Sequence, residues 1–210
     1  MISFNRLAIW LNHVVRRHPS RWLYTDRLLG NYMDGKERPF MTRDWGAAAI
    51  WDVGASVGKY TTILARSNPN GMIYAFEPNL NSLYYLAFRT ARYRNVVIVP
   101  NALTLDGRPI PGSHDPDFTS PPTGPLVSTI SIQEAIARTG VPRFVKVDIE
   151  GAEFDLFKSK AIECLHPATI LLSWHPILAG REIYEVDGWR NVQLDANLTL
   201  LTPHGQSGTP

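Results

Sequence analysis

Cysteine is nearly absent. The single Cys164 excludes an intramolecular disulfide and any cysteine-based zinc pattern; set in AIECLHP, it reads as a small core residue. No apolar run approaches the roughly 20 residues that a membrane-crossing helix needs. Neither sign of charge dominates: 21 Lys and Arg stand against 19 Asp and Glu, a formal net charge of +2. A nucleic-acid partner held by a broad basic face is therefore not expected. The N-terminus shows no uninterrupted apolar stretch ending in a small-residue cleavage site, so the cytoplasm is the expected location. No internal repeat is found. Core material is plentiful: 44% of the 210 residues are hydrophobic, with six Trp and eight each of Phe and Tyr. That suffices for one domain with a modest appendage.

The chain is organised around AIWDVGASVGKY, residues 49–60. Ile50, Trp51 and Val53 suit a buried strand, Gly54 to Gly58 a tight turn, and Lys59 onward a helix. Strand, glycine turn and helix open a nucleotide-binding α/β unit. Gly54 has no Cβ, so the backbone can turn sharply and a ligand can come close; Gly58 is expected to let the helix start pack on the strand. A dinucleotide fold wants G-x-G-x-x-G, with amides facing a pyrophosphate. Here Ser56 replaces a glycine and Asp52 precedes the turn. An acid there repels phosphate and accepts from an ammonium group, which favours a nucleoside carrying an amino acid. S-adenosylmethionine is such a molecule. A tight turn with no ligand is the plain alternative for this stretch taken alone.

Around this unit the residues alternate between strand and helix patterns. Strands are expected at Ile50–Val53, Met72–Phe76, Val96–Val99, Phe144–Val147 and Thr169–Trp174. Helices are expected at Lys59–Ser67, Asn81–Tyr93, Ser131–Arg138 and about Ala152–Cys164. Leu83, Tyr84, Leu86 and Ala87 form the apolar side of the second, and Ser131 with Glu134 a capping box for the third. A closing hairpin is expected around Asp195-Ala196-Asn197. Five prolines between Leu103 and Gly124 speak against regular structure there and for a surface loop or a flap over an acceptor pocket. Residues 1–45 read as a helical extension: Met1–Arg17 has helical apolar spacing, suited to packing on the domain or another subunit. A peripheral membrane contact through its Trp and Arg residues is the weaker reading. Residues 204–210 read as a disordered tail, leaving 46–203 as the main domain.

Two further stretches sharpen the reading. MIYAFEPN closes the second strand with Glu77 and Pro78, where such folds place an acid on ribose hydroxyls. FVKVDIEGAE closes the fourth with Asp148. Together with DVGASVG these resemble the FkbM-type family of S-adenosylmethionine-dependent methyltransferases, over about Ile50 to Pro176. The resemblance implies a Rossmann-like class I methyltransferase fold, α/β, with a mostly parallel sheet, helices on both faces and an antiparallel strand or hairpin at one edge. It implies S-adenosylmethionine as cofactor, an oxygen acceptor such as a sugar or small natural product, and Asn101 and Ala102 beside the adenine. The family often carries an acid near Ser173, which is absent here.

The cofactor reading assigns Asp52, with backbone groups at Gly54, Ala55 and Ser56, to the methionine end. Tyr60 and Thr61 assist at the helix start, Glu77 holds the ribose hydroxyls, and Gly58 and Pro78 are counted among the cofactor-binding residues. For each, the alternative is a strand-end residue capping a loop. Methyl transfer needs reactants held in line, and a hydroxyl acceptor gains from a base. Asp148 ranks first as base, Glu150 as an orienting acid, His175 as second base; Glu153 suits the helix N-terminus. An acid-and-histidine set can also hold a divalent metal, but no ligand spacing stands out and none is assigned. A non-catalytic protein of the same fold and a nicotinamide oxidoreductase are the competing functions; Asp52 and the missing glycine argue against the second.

Overall fold

The computed structural model describes residues 35–111 and 126–205. The chain divides into two compact units, Met1–Arg38 and Pro39–Pro210, and the second carries the elements below. The reading for Met1–Arg17 lies outside the described residues, as do residues 18–34 of the extension and most of the tail.

A seven-stranded sheet forms the centre. In chain order its first half is β1 (Ala49–Val53), α1 (Lys59–Ser67), β2 (Met72–Phe76), α2 (Leu80–Thr90) and β3 (Val96–Val99). Next come β4 (Ala102–Thr104), β5 (Ile110–Pro111), β6 (Leu126–Val127), β7 (Thr129–Ser131) and α3 (Ile132–Thr139). The second half is β8 (Phe144–Val147), α4 (Glu153–Phe157), a 3-10 helix (Lys160–Leu165), β9 (Thr169–Ser173), α5 (Pro176–Ala179), β10 (Trp189–Asp195) and β11 (Leu198–Pro203). The sheet order is β10-β11-β9-β8-β1-β2-β3. β3, β2, β1, β8 and β9 run parallel, and β11 and β10 close the edge antiparallel. This is the expected α/β architecture with its edge hairpin.

The central strands are buried on both faces, which is why they read as near-continuous apolar runs. The strand order reverses between β1 and β8, and in open α/β sheets ligands bind beyond the carboxyl ends of the strands at that point. Register sets the contents of that edge. Val53 pairs with Phe76 and with Val147, Val147 with Leu172, and Phe76 with Val99. Gly54, Glu77, Asp148 and the chain after Ser173 therefore emerge side by side.

Several local expectations differ from the structure. The helix expected over Ala152–Cys164 is two pieces, because Ser159 leaves the helical region and its side chain caps Ala161 N. The proline-rich excursion carries regular pairing on its described residues. β4 pairs parallel with β7, and β5 antiparallel with β6, with Pro111 tolerated in so short a pairing. On α2, Leu86 is buried but Tyr84 and Ala87 face solvent, since the helix is seated through Leu86 and Thr90. Ser131 does cap α3, whereas the Glu134 carboxylate takes Arg138 one turn on.

Candidate active site

The glycine turn is wired inward. Gly54 N and Ala55 N both donate to Phe76 O at 3.0 Å, and Ser56 N donates to Glu77 Oε2 at 2.8 Å. Three successive amides are thus engaged, and a pyrophosphate would find none of them facing it. Backbone carbonyls and carboxylates remain, which suit an ammonium group and hydroxyls. Of the backbone groups of Gly54, Ala55 and Ser56 assigned to the methionine end, the amides are engaged within the protein and the carbonyls are left to serve.

The two glycines also have reasons the sequence does not show. At Gly54 (φ +82) a Cβ would lie 1.8 Å from Asp148 O, so its bareness admits the end of β8. At Gly58 (φ +84) a Cβ would lie 2.8 Å from Leu86 Cδ1: it packs on α2, not on the strand as expected. Ser56 (φ +48) and Glu150 (φ +54) are non-glycine residues in the left-handed region, one in each loop at this edge. Such backbone strain, of order 1–3 kcal/mol each, gathers at ligand-binding edges.

Asp52 and Thr61 are fully buried. Thr61 Oγ1 donates to Asp52 Oδ2 at 2.6 Å, while Asp52 Oδ1 is enclosed with no hydrogen-bond partner. Burial pushes the Asp52 carboxyl up against the opposing pull of Lys146 and Thr61. Enclosed in this way, the pair supports the helix start and places a negative charge under the turn. Glu77, nearly buried, accepts from Ser56 N through Oε2 and from Asn79 N through Oε1, both at 2.8 Å. Desolvation raises its pKa despite those two bonds. Each carboxylate oxygen has a second lone pair, so capping the loop and accepting a hydroxyl are compatible. Pro78 follows, half-buried. Asn101 Nδ2 donates to Thr129 O and Ala102 N to Ser128 O, so this corner beyond β3 is tied to the chain returning from the excursion. The half-buried Tyr60 ring lies 4.4 Å beneath Lys146 Nζ.

The three residues assigned to catalysis meet at the neighbouring strand ends. His175 Nε2 is 3.3 Å from Asp148 Oδ1 and 3.6 Å from Glu150 Oε2. Two further residues support them. Lys146, buried within β8, places Nζ 2.8 Å from Asp148 Oδ2. Burial alone would raise the Asp148 carboxyl, but Lys146, with His175 and Lys59, holds it below its ordinary value. Glu153, fully buried, accepts from Gly151 N (2.8 Å) and from His175 N (2.6 Å), and its Oε1 lies 3.1 Å from His175 Nδ1. It clasps His175 as well as standing at the start of α4. Burial works to lower the His175 pKa, yet the Glu153 bond and the surrounding carboxylates raise it. Burial raises Glu150, aided by Asp148 and Glu153 and opposed by His175. The signal for Lys146 was a lone cation inside FVKV; nothing local tied Glu153 to a histidine 22 residues on.

The model of the methyltransferase FkbM domain matches residues 52–197, more than half of the chain. The chain belongs to the FkbM methyltransferase family. Its cofactor is S-adenosylmethionine. No curated protein sequence matches this methyltransferase. Among solved structures it is similar to the fibrillarin pre-rRNA processing protein of Methanococcus jannaschii, at 13% identity and TM-score 0.50, covering 77% of this chain and 66% of that one. It is also similar to a putative rRNA methylase from Clostridium thermocellum, at 10% identity and TM-score 0.50, covering 80% and 92%. At such identities these show the shared fold. No described helix of this FkbM methyltransferase is long and apolar enough to cross a membrane.

Proposed function

We propose that this methyltransferase methylates a hydroxyl oxygen of a sugar or small natural product. The observation that carries the reading is His175 Nε2 at the switch-point edge, with Nδ1 beside the buried Glu153 and Asp148 and Glu150 alongside. An oxygen acceptor must lose a proton to become a good nucleophile, and this cluster provides somewhere for it to go.

The donor set fits the cofactor. Glu77 would hold the ribose hydroxyls, Pro78 and the Asn101–Ala102 corner would line the base, and the carbonyls of the turn, with the Asp52 charge beneath, would favour the ammonium end. S-adenosylmethionine, when bound, supplies an electrophilic methyl group. The protein positions the acceptor and takes its proton. Lys146 occupies Asp148 Oδ2, so Asp148 is the poorer proton acceptor and serves to orient; His175, clasped by Glu153, is the better one. This inverts the order expected from sequence. Glu150, on its strained turn, faces the same space and suits a second hydroxyl of the acceptor.

The test is transfer of labelled methyl groups to separate panels of glycans and polyols, amines, and RNA. O-methylated product from the hydroxyl panel, lost in His175→Ala with S-adenosylhomocysteine binding retained, is the expected result. Label entering only amines or RNA would overturn the oxygen acceptor, and cofactor binding without transfer to any panel would favour a non-catalytic role.

A further inference from the structure

We propose that Asp148 Oδ1, Glu150 Oε2 and His175 Nε2 form a divalent-cation site of the Mn²⁺ or Mg²⁺ class at the acceptor edge. The inference rests on reading this edge as the acceptor side and concerns what His175 Nε2 holds there, a proton or a cation.

The spacing suits one face of an octahedral ion. The ligand-capable atoms of the three residues all lie within 4.8 Å of one another, with His175 Nε2 at 3.3 and 3.6 Å from the two carboxylate oxygens. An ion bound at about 2.1 Å sets adjacent ligands roughly 3.0 Å apart, so the two histidine pairs need to close by about 0.3 and 0.6 Å, and the two carboxylate oxygens draw in on the ion with them. The residues come from the end of β8, the turn after it and the chain after β9, all at the acceptor edge. Three ligands leave the opposite octahedral face for water or for two neighbouring hydroxyls of an acceptor.

The surroundings are those of a metal site. A ligating histidine commonly donates its other ring N–H to a carboxylate, which fixes tautomer and direction. Glu153, with no solvent exposure, lies 3.1 Å from His175 Nδ1 and is anchored by two backbone amides. Ligating carboxylates are in turn hydrogen-bonded, and Lys146 holds Asp148 through Oδ2, leaving Oδ1 on the side of His175. Charge points the same way. Asp148, Glu150 and Glu153 gather around the His175 ring, with Lys146 against Asp148, and a divalent ion balances part of their charge. Two carboxylates and one imidazole, without thiolate, favour a hard cation. A cation here would bind the acceptor hydroxyl and acidify it, its proton passing to water, and His175 would then serve as a ligand in place of the proton acceptor.

The experiment is titration of chelator-treated protein with Mn²⁺, followed by electron paramagnetic resonance and calorimetry, with S-adenosylhomocysteine affinity measured in parallel. One site is expected, weakened at least tenfold by Glu150→Gln and by His175→Ala. Glu153→Gln should weaken it roughly 10- to 100-fold, as loss of an outer partner does. Glu150 is partly exposed, so its variant tests the site even if His175→Ala fails to fold. No saturable Mn²⁺ binding, or binding indifferent to Glu150→Gln, would overturn the site. Mn²⁺ binding without methyl transfer to hydroxyls would instead overturn the acceptor reading and leave the site standing.

Discussion

Glu77 offers the sharpest perturbation. Its carboxylate accepts one backbone amide on each oxygen, Ser56 N from the cofactor turn and Asn79 N from the start of α2. Glu77→Gln preserves shape but leaves one acceptor and turns an N–H₂ toward the other amide. A hydrogen bond to a charged group contributes about 1.5–3 kcal/mol net. Losing one and weakening its partner should cost about 2–4 kcal/mol of stability. For a domain of this size each kcal/mol is about 2–4 °C, so calorimetry should show a Tm lower by roughly 5–15 °C. The ribose role is separate and additional. If Glu77 also accepts the hydroxyls, S-adenosylhomocysteine affinity should fall by about 1.5–4 kcal/mol, roughly ten- to a thousandfold. That loss should nearly vanish for the 2′,3′-dideoxy analogue. A cycle of Glu77→Gln against the dideoxy ligand separates the two. Equal weakening for both ligands would refute the ribose contact, and an unchanged Tm would refute the capping role.

Gly54→Ala should lower stability by about 2–6 kcal/mol, from a left-handed backbone and an overlap with Asp148 O, and should lose cofactor binding together with the fold; an unchanged Tm would refute that packing. Gly58→Ala should cost less, because the flexible end of Leu86 can move aside. Asp52→Asn should raise stability at neutral pH while weakening S-adenosylhomocysteine, because burial raises the Asp52 pKa above its unfolded value of 3.8. The sign follows from linkage: the native state holds the extra proton, so the wild type loses stability as pH rises from the unfolded to the folded pKa. The advantage of the variant should therefore shrink in acid, and a gain that persists there would refute it.

The strands were legible because a parallel sheet buried on both faces writes short apolar runs into the chain, and Ile50–Val53, Met72–Phe76 and Phe144–Val147 are such runs. Register then delivered Asp52, Glu77 and Asp148 to one edge without further information. What stayed hidden depends on distant partners. The need for a bare Gly54 is set by the carbonyl of Asp148, on the far side of three crossovers. The role of Glu153 is set by His175, which no local pattern connects to it. The break at Ser159 reflects a side-chain cap outcompeting one helical turn, a balance too small to read from apolar spacing.

A crystal structure with S-adenosylhomocysteine tests most directly where the cofactor lies. Ribose hydroxyls within about 3.2 Å of the Glu77 carboxylate, with the sulfur turned toward Asp148, Glu150 and His175 and space between for one acceptor oxygen, is the predicted result. A ribose turned away from Glu77, or a sulfur on the far side of the turn from His175, would contradict it.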